Sequence, residues 1–249
     1  MDWRRGLGGV LDLIFPRNCL LCGQGLVFGE GLYICPDCMG GIRLTFGERC
    51  PRCAAFLGPY TYAARDCPIC RGKRLAFGRA VAIGPYSGPL REMILRFKYP
   101  RLEYLVEPLA SMLSGVARKE GLAQGQGLLM SVPLHWTRRL RRGFDQAGLL
   151  AERLSRLLGK PISERNLCRI RATASQTGLS ESKRRENVRG AFKVRRTAEV
   201  TGKRVLLVDD VMTTGATASE CARTLLSAGA KEVSVLVGAR AQPGSAGAI

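Results

Sequence analysis

The sequence predicts an α/β domain, a parallel sheet with flanking helices, preceded by a small module that needs metal to fold. Three observations carry this. From residue 78 onward, short apolar strand-like runs alternate with helical segments, the pattern of a parallel sheet covered on both faces. Before residue 71, eight of the ten cysteines form four C-x-x-C pairs. Between residues 205 and 217, an apolar run delivers two acids to a Thr- and Gly-rich turn ahead of a helix. The change in texture divides the chain into residues 1–75, an N-terminal helix and the paired cysteines; residues 78–240, the α/β domain; and residues 241–249, a frayed tail.

Each element follows from local pattern. Trp3, Leu7, Val10, Leu11, Ile14 and Phe15 recur at helical spacing, and Pro16 ends that helix. From Asn18 to about Lys73 little apolar periodicity appears, so this part cannot fold on a conventional core and metal must stabilise it. Residues 80–83 read as a strand, 90–97 as a short helix, and 102–117 as a longer helix interrupted at Pro108. A loop at 121–127 leads to a buried strand at 128–132. Residues 146–158 form an amphipathic helix closed by Gly159 and Pro161. A short strand is expected at 166–170, and residues 205–208 have the all-apolar composition of a central parallel strand. A helix at 217–228, capped by Gly229, and a strand at 233–237 complete the domain.

Composition narrows the function classes. No apolar run approaches the ~18 residues that span a bilayer. The opening apolar stretch is broken by Gly8, Gly9 and Asp12 and no small-residue cleavage site follows, so it is not read as a signal peptide and a cytoplasmic location is expected. The formal charge of +19 points to polyanionic partners: nucleic acid, acidic membrane or phosphorylated small molecules. Two Zn²⁺ held by eight thiolates would leave about +15, still strongly basic.

The cysteines run C-x-x-C, 12 residues, C-x-x-C, then C-x-x-C, 13 residues, C-x-x-C, two copies of one unit. Two thiolate pairs complete a tetrahedral Zn²⁺ site with no open position, so two structural zinc ions are expected. Sequential pairing puts Cys19, Cys22, Cys35 and Cys38 on one ion and Cys50, Cys53, Cys67 and Cys70 on the other. A cross-braced arrangement would alternate the pairs; the sequential one is favoured because each unit is a complete hairpin. Cys168 and Cys221 stand alone and are expected to be buried, unreactive thiols.

The strongest signal is Val205-Leu-Leu-Val-Asp209-Asp210-Val-Met-Thr213-Thr214-Gly215-Ala216-Thr217. The apolar run delivers two carboxylates to the C-terminal end of a strand, where ligands collect in open parallel sheets. Gly215 lets the backbone approach a phosphate, which exposed N–H groups and the helix N-terminus attract. Asp209 and Asp210 stand where they can accept hydrogen bonds from two vicinal ribose hydroxyls, with Mg²⁺ nearby. These thirteen residues resemble the phosphoribosyl pyrophosphate motif of type I phosphoribosyltransferases. The resemblance implies that fold, with Asp209 and Asp210 on the ribose and Thr213, Thr214, Gly215, Ala216 and Thr217 on the 5′-phosphate.

A second anion site is expected after the strand at 128–132, in Val132-Pro133-Leu134-His135-Trp136-Thr137-Arg138-Arg139. This stretch resembles the family's pyrophosphate loop, with Arg138 or Arg139 facing the pyrophosphate, since Arg binds it in bidentate fashion. His135 is read as a loop residue fixing backbone rather than a proton carrier. Residues 141–147 (Arg-Arg-Gly-Phe-Asp-Gln-Ala) and the stretches 175–180 and 183–188, with the cysteine pairs and the phosphate motif, resemble the ComF family over nearly the whole chain. Members of that family serve DNA uptake in natural transformation. Asp145 departs from the family's R-G-F-N-Q-A pattern, which removes a donor and adds negative charge beside the proposed anion site. Residues 173–189 occupy the place of the mobile loop that closes over substrate.

From Arg138 to Arg204 basic residues outnumber acids about three to one, a surface suited to phosphates of a single strand. Trp136, Phe144, Tyr99 and Tyr104 are the aromatics available to stack bases. Three functions follow. The first is phosphoribosyl transfer to an amine or base, in nucleotide metabolism or salvage, with Asp209, Asp210, Arg138 and Arg139 as the working residues. The second is an accessory protein that binds phosphoribosyl pyrophosphate and single-stranded DNA and meets DNA-uptake proteins. The third is a regulator reporting phosphoribosyl pyrophosphate to a protein partner. The second is the expected reading.

Overall fold

The computed structural model describes residues 18–26, 33–43, 49–57, 67–100, 102–125, 127–134, 143–173 and 180–241. The helix expected at 3–15 and the tail beyond Ala241 lie outside them. In chain order the elements are α1 (Pro36–Arg43), β1 (Arg79–Pro85), α2 (Gly88–Arg96), α3 (Val106–Lys119), β2 (Leu128–Ser131), α4 (Gln146–Leu158), β3 (Leu167–Arg169), α5 (Glu181–Val188), β4 (Phe192–Val194), β5 (Arg204–Met212), α6 (Ala216–Ser227) and β6 (Glu232–Arg240). Among the described residues no helix is long and apolar enough to cross a membrane.

The main sheet is parallel throughout, in the order β1-β6-β5-β2. Side chains alternate across a strand, so an all-apolar strand must be buried on both sides. β5 shows this directly. Leu206 and Val208 join Val81, Ile83, Leu129 and Leu236 in a core beneath α2, α3 and α4. Val205 and Leu207 join Val233, Val235 and Val237 in a second core beneath α6 and the antiparallel ribbon β3–β4. Each such fully buried Leu or Val contributes roughly 1.5–3 kcal/mol of apolar burial.

Five expectations need correction. α3 is not broken at Pro108: a 3-10 turn over Glu103–Leu105 precedes it, and Pro108 sits in its first turn, where a missing N–H costs no intrahelical bond. β5 runs on past Val208 to Met212, because β6 pairs with it as far as Met212 opposite Arg240. The stretch read as a mobile loop contains α5, capped by Ser180, whose hydroxyl accepts from the Lys183 N–H (3.4 Å). The first cysteine unit does share a conventional core: Ile34 and Ile42 are buried with Cys19 and Cys35 under α2. Cys168 is half-exposed on the β3–β4 ribbon, its neighbour Leu167 taking the inward position, whereas Cys221 is fully buried as expected.

The second cysteine unit packs as its own small cluster with Ala55, held against the sheet by two arginines. Arg49 donates to the carbonyls of Ala82 and Ile83 (3.1 Å to the latter) on β1, the outermost strand of the sheet on that side. Arg240 at the end of β6 donates to the Cys53 carbonyl (2.9 Å).

Candidate functional site

β5 carries the acid pair to the carboxyl end of the sheet. Asp209 and Asp210 lie within the strand, and each accepts a hydrogen bond from the N–H of the next residue, at 2.9 and 2.7 Å. Lys98, just beyond α2, places its Nζ 3.2 Å from Asp210 Oδ2, with both side chains largely shielded at 16% and 18% exposure. Burial first, and the charge of Asp210 second, push the Asp209 carboxyl well above the usual carboxylate range, while Lys98 pulls the other way. Asp210 is the carboxylate of the pair that Lys98 contacts. Both remain partly open to solvent, as acceptors for hydroxyls must be.

The backbone of β6 comes unusually close here. A Cβ on Gly238 would stand 2.7 Å from the Asp210 carbonyl oxygen and 3.3 Å from Ile94 Cδ1, so only glycine fits beside the acid pair.

After Met212 the chain turns through Thr213, Thr214 and Gly215 into α6. Gly215 is the N-cap with φ +79°, the left-handed region that glycine enters without penalty. The Ala216 N–H donates to Thr214 Oγ1 at 3.3 Å. The N–H groups of Thr213, Thr214 and Gly215 donate to no protein acceptor among the described residues. Thr217 begins no helix of its own but sits in the first turn, since α6 starts at Ala216. The helix mouth opens at Thr214 and Ala216 into a cavity of about 750 Å³, whose other walls are α5 and residues 73–76. Unpaired amides at a helix N-terminus form an anion-receptive turn; of this turn Thr214 and Ala216 line the cavity, while Asp209 and Asp210 are not among its walls.

The far wall of that cavity is fixed by Glu220, buried on α6. It accepts from Arg223 (2.9 and 2.5 Å) and from the Gly190 N–H (2.6 Å); Arg223 first, then Gly190, hold its carboxyl below the ordinary range. Arg74 and Arg189 at the cavity rim are exposed, and the charge of Arg189 also helps hold the Glu220 carboxyl down, whereas Lys73 pairs with Glu181 (2.7 Å).

β2 lies next to β5, and Val132 continues their pairing by donating to the Val208 carbonyl (2.9 Å). The chain therefore leaves β2 beside the acid pair. His135, Arg138 and Arg139 themselves lie outside the described residues, as do residues 174–179. Asp145 serves its own helix: it is the N-cap of α4 and accepts from the Gly148 N–H (3.1 Å). Asn and Asp serve equally at that position, which accounts for the substitution. Of the aromatics, Phe144 packs edge-on against Phe97 (5.9 Å) and Tyr104 against Tyr33 (4.5 Å), while Tyr99, 64% exposed, stands free beside Lys98.

Sequence reasoning missed Lys98, Glu220 and Arg240. Each acts from another element at the end of a strand or on a helix face, with no local pattern to mark it.

The eight cysteines converge as two sequential tetrads, Cys19/22/35/38 and Cys50/53/67/70, with all ligand atoms in each within 4.8 Å of one another. Neighbouring sulfurs stand 3.6 Å (Cys22–Cys35) and 3.7 Å (Cys50–Cys70, Cys53–Cys67) apart. A tetrahedron of thiolates about 2.3 Å from Zn²⁺ has edges of ~3.8 Å, whereas a disulfide brings its sulfurs to ~2.05 Å. The donor set and its spacing fit structural zinc, with no position left for catalysis.

The sheet order, the strand–turn–helix with its acid pair, and the two tetrads define a phosphoribosyltransferase-type domain carrying a double zinc ribbon. Residues 140–245 match the phosphoribosyl transferase domain family, and residues 10–71 match the double zinc ribbon domain. The chain is 36% identical over 227 residues to the DNA utilization protein YhgH of Escherichia coli O157:H7, covering 90% of this chain and 96% of that protein. It is 33% identical over 231 residues to competence protein F of Haemophilus influenzae, covering 91% and 98%. Competence protein ComFC of Bacillus subtilis is 27% identical over 235 residues, with 89% and 92% covered. The chain belongs to the ComF family.

Proposed function

We propose that the protein binds phosphoribosyl pyrophosphate, or a related ribosyl phosphate, at the carboxyl end of β5 and supports the handling of single-stranded DNA during uptake, in the cytoplasm. The carrying observation is that β5 runs two partly open carboxylates directly into a turn whose three amides donate to no protein acceptor among the described residues. Asp209 and Asp210 accept from the ribose 2′- and 3′-hydroxyls. The Thr213, Thr214 and Gly215 amides, with the first turn at Ala216 and Thr217, take the 5′-phosphate. Arg138 or Arg139 faces the pyrophosphate, and Mg²⁺ bound with it neutralises its charge.

The DNA role rests on the competence and DNA-utilization names of its relatives together with the basic charge of +19. Arg74 and Arg189, exposed at the cavity rim, and exposed Tyr99 are the described residues best placed to meet a strand, through phosphate contacts and base stacking. Protein partners of the uptake machinery would meet the same molecule.

Calorimetry with phosphoribosyl pyrophosphate and Mg²⁺, with Asp210→Asn as control, tests the ligand. Saturable binding to the native protein and a loss of roughly tenfold or more in the variant are expected, by the removal of one charge-assisted acceptor. Equal affinity in both sinks the reading. Release of pyrophosphate on addition of an amine or base acceptor would instead favour an active transferase in nucleotide metabolism.

A further inference from the structure

Arg240, the last residue of β6, is 1% exposed, yet the proposed ligand contacts do not use it. Its guanidinium lies between two functional regions. Nε donates to the carbonyl of Cys53 (2.9 Å) in the second tetrad. Nη1 donates to the carbonyls of Met212 (3.1 Å), Thr213 and Ala241 (2.6 Å). One buried side chain thus grips the backbone of a zinc ligand and the backbone of the anion-receptive turn.

The grip sets the direction of the turn's amides. A trans peptide is planar, so its C=O and the following N–H point in opposite directions. Drawing the Met212 and Thr213 carbonyls inward to Arg240 forces the Thr213 and Thr214 N–H groups outward. These are the donors left without a protein acceptor.

Charge ties Arg240 to the second metal rather than the first. A buried cation needs compensation, and among the described residues no carboxylate lies at ion-pair distance from it. Four thiolates around one Zn²⁺ carry a net charge of −2, and Cys53 belongs to that group. The segment after this tetrad adds a second strut: Leu75 and Phe77 lie 3.7 and 3.6 Å from where a Gly215 Cβ would stand, and the Ala76 N–H donates to Ser219 Oγ (3.0 Å). The first tetrad packs instead with the core under α2.

We infer that Arg240 is a positioning residue that aims the turn's amides at the phosphate, and that the second zinc site, not the first, holds it there. This rests on the ribosyl-phosphate reading of the turn.

The test uses the full-length, zinc-loaded protein and three variants: Arg240→Lys, Cys70→Ser in the second tetrad and Cys22→Ser in the first. ¹⁵N relaxation reads the amide order parameters of Thr213, Thr214 and Gly215 without ligand, zinc analysis counts the metals, and calorimetry measures ribose 5-phosphate. Arg240→Lys should keep both zinc ions while those order parameters fall from about 0.85 to below about 0.6. Affinity for ribose 5-phosphate should fall roughly tenfold, about 1.4 kcal/mol. Cys70→Ser should lose the second zinc ion and show the same falls in order parameters and affinity, whereas Cys22→Ser should lose only the first and leave the turn rigid and affinity within roughly twofold.

Unchanged order parameters in Arg240→Lys and Cys70→Ser, or an equal fall in Cys22→Ser, overturn the inference. If Arg240→Lys does not fold, the two cysteine variants decide between these outcomes. A native protein that ignores ribose 5-phosphate refutes the proposed ligand, while the order parameters still decide the role of Arg240.

Discussion

Gly238→Ala should damage the site from the neighbouring strand without touching a ligand. The new methyl would stand 2.7 Å from the Asp210 carbonyl oxygen, about 0.3 Å inside the closest approach a Cβ tolerates, and 3.3 Å from Ile94 Cδ1. Ile94 can turn aside, but the carbonyl belongs to the backbone of a central strand, so β5 and β6 must separate at Asp210. Overpacking of this kind costs about 1–3 kcal/mol. For a chain of this size that reads as a fall in Tm of roughly 2–12 °C. The same separation moves the Asp210 carboxylate away from Lys98 and the ribose, so affinity for phosphoribosyl pyrophosphate should fall about tenfold. Thermal unfolding and calorimetry measure the two effects. Gly115→Ala is the control: it lies in α3 with nothing within 4 Å of its added methyl, and it should stabilise by roughly 0.5–1 kcal/mol. If Gly238→Ala matches the native protein in both Tm and affinity, the close approach described above is wrong.

Three further outcomes are expected. Because the folded state holds the Asp209 proton above the usual range, stability falls as pH rises from the unfolded pKa, about 3.9, through the folded one, and is flat beyond. Asp209→Asn should therefore be more stable than the native protein at pH 8, with the difference closing near pH 3; a Tm difference independent of pH would contradict this. Metal analysis should find two zinc ions per chain, and chelation should unfold the cysteine units, since such sites contribute on the order of 10–16 kcal/mol; a chelated protein with unchanged circular dichroism and Tm would refute structural zinc. Fluorescence anisotropy with a labelled single strand should give a negative salt slope, and replacing Arg74 and Arg189 by Gln should flatten it by about 1.4, at ~0.7 for each phosphate no longer neutralised. An unaltered slope removes those two arginines from the interface.

Much of this was legible because local chemistry and tertiary environment agree. α4 was legible to the residue from its apolar stripe and from Gly159 at its end, with φ +62°, whereas the cap at its head, Asp145, was read instead as a charge beside the anion site. β5 and the turn were legible because an all-apolar run is buried on both faces and Gly215 must adopt positive φ. α5 was missed because Val188 is its only buried residue, so no stripe exists; the Ser180 cap with Glu181 in the first turn was the available signal. Lys98 and Arg240 were illegible for a different reason. Their partners lie far along the chain, and only the order of strands in the sheet brings them together.

The contact of Arg49 with β1 bears on why the two halves of the chain travel together. An outer strand offers its unpaired backbone groups as a template on which another chain can build. Here the zinc-held unit lies against that border, and its Arg49 guanidinium occupies the outward-facing Ile83 carbonyl. A fragment cut at Gly78 would bare that carbonyl and invite edge-to-edge association, so the ribbon acts as a guard rail for the sheet whatever else it touches.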